Sequence, residues 1–297
     1  MGETGGEKIK KWLGKLTNFT FIACMLVGAY FVLQVLVVTS FRIPSDSMMP
    51  SLLPGDCILV DKCSTGARLF NVSDAVDGKE VDIHRMPGWR KFRRDDVLVF
   101  NFPYQPGRWD SIAFDVMKYY VKRCVAVPGD TLEIEGGYYR VAGYKKHVGY
   151  LTAQRDMAML PDSGAAHILM ETFPWSKRLG WTVKEFGPLP VPAKGQMVRM
   201  DSVSWLFYKQ LIGWEQRRRL RIDEGGHVYL GDSLIQEYYF RENYYFVAGD
   251  KADNSQDSRY WGLLPEPFIV GRAWRIWKSE DRNNGNIRWN RIWKKVE

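Results

Sequence analysis

At 297 residues the chain is long enough for one large domain or two modest ones, each with its own core. A formal net charge of +8 suits an anionic membrane surface and nucleic acid equally well, so charge alone does not choose between them. The four cysteines show no CxxC and no metal spacing, and His84, His147, His167 and His227 are scattered without HExxH or a Cys/His pairing. These patterns exclude the usual zinc motifs, and a GxxxxGK[ST] phosphate loop is absent as well.

Lys8, Lys10, Lys11 and Lys15 crowd a basic N-terminus, residues 1–18. The next run, 19–40 (FTFIACMLVGAYFVLQVLVVTS), contains no Asp, Glu, Lys or Arg. About 20 apolar residues in a helix cross a hydrocarbon core of roughly 30 Å. The run is too long for a signal-peptide core and lacks a small-x-small cleavage site, so it reads as a retained single-pass anchor. The lysines before it predict a cytoplasmic N-terminus with the rest exported.

Beyond the span, short β-like runs alternate with Gly, Pro and Asp. They are CILVDK (57–62), DVLVFNF (96–102), YYVKRCVAV (119–127), TLEIEGGYYRV (131–141), HVYLGDSLIQEYYF (227–240), YYFVAGD (244–250) and FIVGRAWRIW (268–277). Gly231-Asp232 reads as a hairpin turn. Cys57 and Cys63, placed on one strand roughly 20 Å apart, are too distant for a disulfide; Cys124 keeps that option open. Val203, Phe207, Leu211 and Trp214 recur at helical spacing after Asp201, a suitable N-cap. The segment 143–242 carries this helix, the Pro-rich FGPLPVPAKG and the basic run RRRLR, and reads as a cap inserted between two halves of a β core, 41–142 and 243–280. RRRLR itself suits a solvated helix end or a phospholipid contact. The tail 281–297 alternates Arg288, Trp289, Arg291, Trp293 and Lys294, which fits either a membrane interface or a final strand. Leu69, Phe70, Met86 and Trp89 could form a membrane-dipping rim.

Two serine readings remain. GDSL (231–234) matches a short esterase motif, but it sits in a hairpin where no βαβ alternation supports an α/β hydrolase. The other is IPSDSMMPSLLPGD, with Ser45 and Ser47 between Pro44 and Pro50, which stiffen the turn. Ser47 lies seven residues past Ser40, at most roughly 25 Å from the span. No histidine is near, and lysine is the alternative base. At an ordinary pKa only about one lysine in a thousand is neutral near pH 7.4, so the base must sit in an apolar strand. Lys122 in YYVKRCVAV fits, with Arg123 as a cationic neighbour. Taken alone, that strand reads more simply as an ordinary one with two polar positions.

The boxes together say more. IPSDSMMPSLLPGDCILVDK, RRDDVLVFNFP, YYVKRCVAVPGD and AGDKADNSQDSRYWGLLPEPFIVGRA occur in the order of the bacterial signal peptidase I family, which the chain resembles from the span to GRAWRIWKS. The resemblance implies a mainly β fold of antiparallel sheets, one N-terminal transmembrane helix and an inserted α+β cap. It implies a serine endopeptidase of the inner membrane that removes signal peptides from exported preproteins after a small-x-small motif, through an acyl-enzyme and without metal or cofactor. Ser47 would be the nucleophile, Lys122 the general base, Ser45 an oxyanion-hole donor and Ser255 the group orienting Lys122. Arg123, Asp250, Asp257 and Arg259 would supply supporting ion pairs. Expected partners are preproteins, membrane phospholipids and the export machinery, with no nucleic acid. Asp46 stands where the family commonly has glycine, and Lys251-Ala252 where it has Asn-Arg. Lys251 would add a cation near the site or face solvent.

Overall fold

The computed structural model describes residues 5–105, 108–161 and 168–297; His167 and the first four residues lie outside the described residues. The apolar run forms helix α1 (Gly5–Val32), extended by a π-helical turn, Leu33–Val37. The most apolar 18-residue window of Lys10–Val37 has a mean hydropathy of 2.2, and none of that window is buried against protein. The helix expected to reach Ser40 stops at Val37, because Val38–Arg42 becomes strand β1. Val38, Thr39 and Ser40 pair with Asp61, Val60 and Leu59 of β2 (Asp56–Asp61), so ladder bonds replace helical ones and β-branched residues take the conformation they favour. Lys62 closes the joint, its Nζ donating to the carbonyls of Gln34 (2.7 Å) and Val35 (3.3 Å) at the helix end.

The strands that follow are β3 (Val97–Asn101), β4 (Tyr119–Ala126), β5 (Thr131–Glu135), β6 (Tyr138–Val141) and β7 (Phe186–Pro190). Then come helix α2 (Ser202–Gln216), strands β8 (Leu220–Ile222), β9 (Val228–Leu230), β10 (Ser233–Ile235) and β11 (Tyr244–Ala248), helix α3 (Ser258–Trp261), and strands β12 (Leu264–Pro265) and β13 (Ile269–Ser279). The main sheet runs β1-β2-β13-β3-β4-β11-β12, with every neighbour antiparallel. Its central strands β3 and β11 are buried throughout, which is why they read as continuous apolar runs rather than alternating ones.

A second sheet, β6-β5-β7, takes β7 from the 143–242 segment and the other two strands from before it. TLEIEGGYYRV, expected as one run, is a hairpin. It folds back at Gly136 and Gly137, whose φ values of 55° and 88° only glycine adopts at low cost. Leu132, Ile134 and Leu189 of this sheet pack with Phe207, Tyr208, Leu211 and Ile212 of α2 and with Phe246 of the main sheet. Asp201 caps α2 as expected, accepting from the N–H groups of Val203 and Ser204. Arg217 ends the helix in a left-handed conformation and pairs with Asp82, after which β8 begins inside RRRLR. Gly231-Asp232 is the turn between β9 and β10. The tail neither trails free nor adds a long strand. It lies along β13, with Trp293 and Val296 donating to the carbonyls of Ile276 and Trp274 and Val296 entering the core. Cys63 falls beyond the end of β2, and all four cysteines are free.

Candidate active site

The turn bearing Ser45 and Ser47 is held from below by apolar anchors. Ile43, Met48 and Leu52 are buried in the cluster that also contains Val60, Val97, Val99 and Val270. Within the turn, the Met49 N–H donates to Asp46 O (2.9 Å) and the Leu52 N–H to Met48 O (2.8 Å). With Met48 fully buried, Ser47 is half-exposed at the surface of the sheet and Ser45 is exposed; their hydroxyls stand 3.5 Å apart.

Strand β4 brings Lys122 to this turn across 75 residues of sequence. Its Nζ lies 2.6 Å from Ser47 Oγ. Lys122 is only 3 % exposed, and burial is the chief reason its amine falls to about 8. The Asp257 carboxylate works against that fall, the Arg259 guanidinium assists it, and Asp250 and Asp46 oppose it more weakly. The ring of Tyr120 lies 5.8 Å from the ammonium position. Arg123, the cation expected to help, is not among the groups that move Lys122. Neighbouring strand residues point to opposite faces, and the helping cation is Arg259.

Arg123 does other work. It grips Asp250 through Nε–Oδ1 (2.7 Å) and Nη2–Oδ2 (2.6 Å), and donates to Ser51 Oγ (3.2 Å), Asp95 O (3.0 Å) and Glu297 O (2.8 Å). It thereby ties the Ser45–Ser47 turn, β4, the end of β11 and Glu297 together. Asp257 and Arg259 form a second buried fork, Nε–Oδ1 2.9 Å and Nη2–Oδ2 2.8 Å. Burial alone would raise the Asp257 carboxyl, but Arg259 and the Gly249 N–H (3.0 Å) outweigh it and hold the group below the usual carboxylate range.

Ser255 is buried beside this fork, and its Oγ makes no hydrogen bond among the described residues. The hydrogen bond expected from Ser255 to Lys122 is therefore not made in this structure. Gly249 explains how closely the parts approach: a Cβ there would stand 2.2 Å from Ser255 Oγ and 2.6 Å from Ser47 O. Sequence reasoning passed over this glycine, whose only signal was its place before Asp250. It also passed over the partnership of Asp46 with Lys251, two residues that depart from the family pattern and bond each other. Ser233 of GDSL is exposed beside the β9–β10 turn, far in character from this packed site. Among the described residues no group of three or more His, Cys, Asp and Glu side chains is placed to hold a metal ion.

The sequence model described as signal peptidase, peptidase S26, matches residues 13–277. A signal peptidase I of Buchnera aphidicola subsp. Acyrthosiphon pisum is 29% identical over 307 aligned residues, covering 96% of this chain and 84% of its own. A signal peptidase I of Pseudomonas aeruginosa is 28% identical over 259, covering 84% of this chain and 67% of its own. A solved signal peptidase I of Enterococcus faecalis V583 has 16% identity and a TM-score of 0.30, covering 62% of this chain and 97% of that one, a likeness too slight to bear on the fold. With a match that runs from inside α1 to within β13, the chain belongs to the signal peptidase family, peptidase S26.

Proposed function

We propose that this chain is a membrane-anchored serine endopeptidase that removes N-terminal signal peptides from exported preproteins, using Ser47 and Lys122. The observation that carries the reading is the 2.6 Å contact between Ser47 Oγ and a buried amine whose pKa is about 8. A neutral Lys122 accepts the Ser47 proton as Oγ attacks the scissile carbonyl, and then passes it to the leaving amine. Ser45 Oγ and the Ser47 N–H stabilise the tetrahedral oxyanion. Collapse gives an acyl-enzyme on Ser47, which water hydrolyses with Lys122 again as base. The unpartnered hydroxyl of Ser255 turns to the Lys122 ammonium once the proton has moved. The substrate binds extended beside the site, with small side chains at the first and third positions before the cut.

We read 41–142 and 243–280 as the two halves of the catalytic core, with 143–242 as the inserted cap. The pairing of β11 and β13 with strands of the first half supports that division. The N-terminal lysines favour a cytoplasmic N-terminus in the inner membrane, with the β domain on the exported side. Exposed Trp274 and Trp277 on β13 favour phospholipid contact there, since Trp277 Nε1 donates to Ser40 Oγ (2.7 Å), next to the end of α1. Trp89, Leu69 and Met86 are exposed as a rim requires, whereas Phe70 packs on Phe114.

Cleavage of a purified preprotein in detergent by wild type, Ser47→Ala and Lys122→Ala tests the pair. Both variants are expected to lose processing, and retained processing by either one sinks the dyad. Repeating the assay in anionic lipid vesicles tests the rim: a Trp89→Ala protein as active there as wild type would count against lipid contact.

A further inference from the structure

The two segments that carry the site's hydroxyls are sewn together by a pair of oppositely charged side chains. Asp46 sits between Ser45 and Ser47. Its carboxylate accepts from Lys251 Nζ and from Asn254 Nδ2, at 3.0 Å to Oδ1 and 3.2 Å to Oδ2. A third stitch is made by backbone, the Lys251 N–H donating to Ser47 O at 3.0 Å. Lys251 opens the 3₁₀ turn Ala252–Asn254, and Ser255 follows it directly. One ion pair and one amide thus fix the nucleophile turn against the segment bearing Ser255.

We propose that Lys251 is a positioning residue of the active site, which through Asp46 sets the Ser45–Ser47 turn and shields Lys122 from the Asp46 charge. This rests on the reading of Ser47 and Lys122 as the catalytic pair. Both side chains of the ion pair are about one-third exposed, 35% for Lys251 and 34% for Asp46, so the pair adds little to stability. Its effect comes from place rather than strength. The charged groups acting on Lys122 are Asp257, Arg259, Asp250 and Asp46. The first three stand in buried forks with partners of their own; Asp46 is the one whose partner reaches in from the solvent side. The groups acting on Lys251 are Asp46 and Asp253. Lys251 holds the Asp46 carboxyl below its ordinary range, so both partners stay ionised at the pH where the amine of Lys122 loses its proton. Remove the cation and the Asp46 carboxylate, keeping the neutral Asn254 amide but no opposite charge, favours the protonated and inactive form of Lys122.

The test is the pH dependence of preprotein cleavage, from about pH 6 to about pH 10, by wild type, Lys251→Gln, Asp46→Asn and the double variant, with Ser47→Ala as control. Lys251→Gln is expected to lower kcat about threefold to tenfold near neutral pH with little change in KM. The midpoint at which its activity appears should rise by a few tenths of a pH unit. Asp46→Asn should move that midpoint the other way, and the double variant should return it to the wild-type position. A merely structural role would lower activity at every pH and leave the midpoint in place. Coincident midpoints in all four proteins, or a raised midpoint that the double variant fails to return, would overturn the proposal. If Ser47→Ala is dead while the four profiles coincide, only this inference falls; if Ser47→Ala still cleaves, the catalytic pair falls and this inference falls with it.

Discussion

A lysine buried to 3 % exposure, with its amine against a serine hydroxyl, costs the fold stability, which the proposed role of Lys122 as base would explain. The amine titrates near 8 in the folded chain, against an ordinary 10.5. Between those values the unfolded chain holds a proton that the folded chain has released, so stability rises with pH across that window. Below about pH 8 the whole penalty is present, on the order of 3 kcal/mol. Lys122→Met, which keeps the bulk and removes the charge, is therefore expected to abolish cleavage yet raise the melting temperature at pH 7. The gain should shrink as pH climbs through the window; a gain that is constant with pH, or no gain, would contradict a desolvated amine. Activity is expected to follow the same deprotonation, appearing as pH rises through about 8.

Between elements, the close approach that bears on the site is the passage from β11 to the 3₁₀ turn, where Gly249 lies between Ser47 O and Ser255 Oγ. Gly249→Ala must displace one of them. Ser255 can rotate away, but the Ser47 carbonyl is backbone already accepting from the Lys251 N–H. We expect about 1–3 kcal/mol of lost stability by urea unfolding and about a hundredfold fall in kcat, since an ångström of misplacement has that effect. Wild-type kcat in this variant would show that the approach has slack. Strands such as β3, β4 and β11 were legible because runs rich in Val, Phe and Tyr are bounded by Gly, Pro and Asp, and α2 because Asp201 announces it. That Ser47, Lys122, Arg123, Asp257 and Arg259 gather in one place was suggested mainly by the order of four separated boxes. What stayed hidden depends on pairing between distant segments. Nothing local says that Val38 leaves a helix for a ladder with Asp61, that the tail follows β13, or that Asp46 meets Lys251. Which cation stands by Lys122 stayed hidden for the same reason, because it depends on where Arg259 folds in.

At the scale of the whole molecule, an exposed apolar helix is joined to the edge of the main antiparallel sheet, with the Ser45–Ser47 turn just beyond the strand that joins them. The exit from the span is a built joint: helix end, Lys62 and the β1–β2 ladder form one hydrogen-bonded unit. Such a joint makes the elevation of Ser47 above the bilayer a fixed dimension instead of an average over chain conformations. With Ser47 as the proposed nucleophile, the protein would behave as a depth gauge. A preprotein spanning the same bilayer presents its cut site at a height set by its own apolar core, about 1.5 Å per helical residue. Lengthening or shortening that core one residue at a time should give a single sharp optimum in cleavage rate. Lys62→Ala, which frees the Gln34 and Val35 carbonyls, should broaden that optimum while leaving the rate at its peak nearly intact. An equally sharp optimum in that variant would place the gauge elsewhere in the molecule.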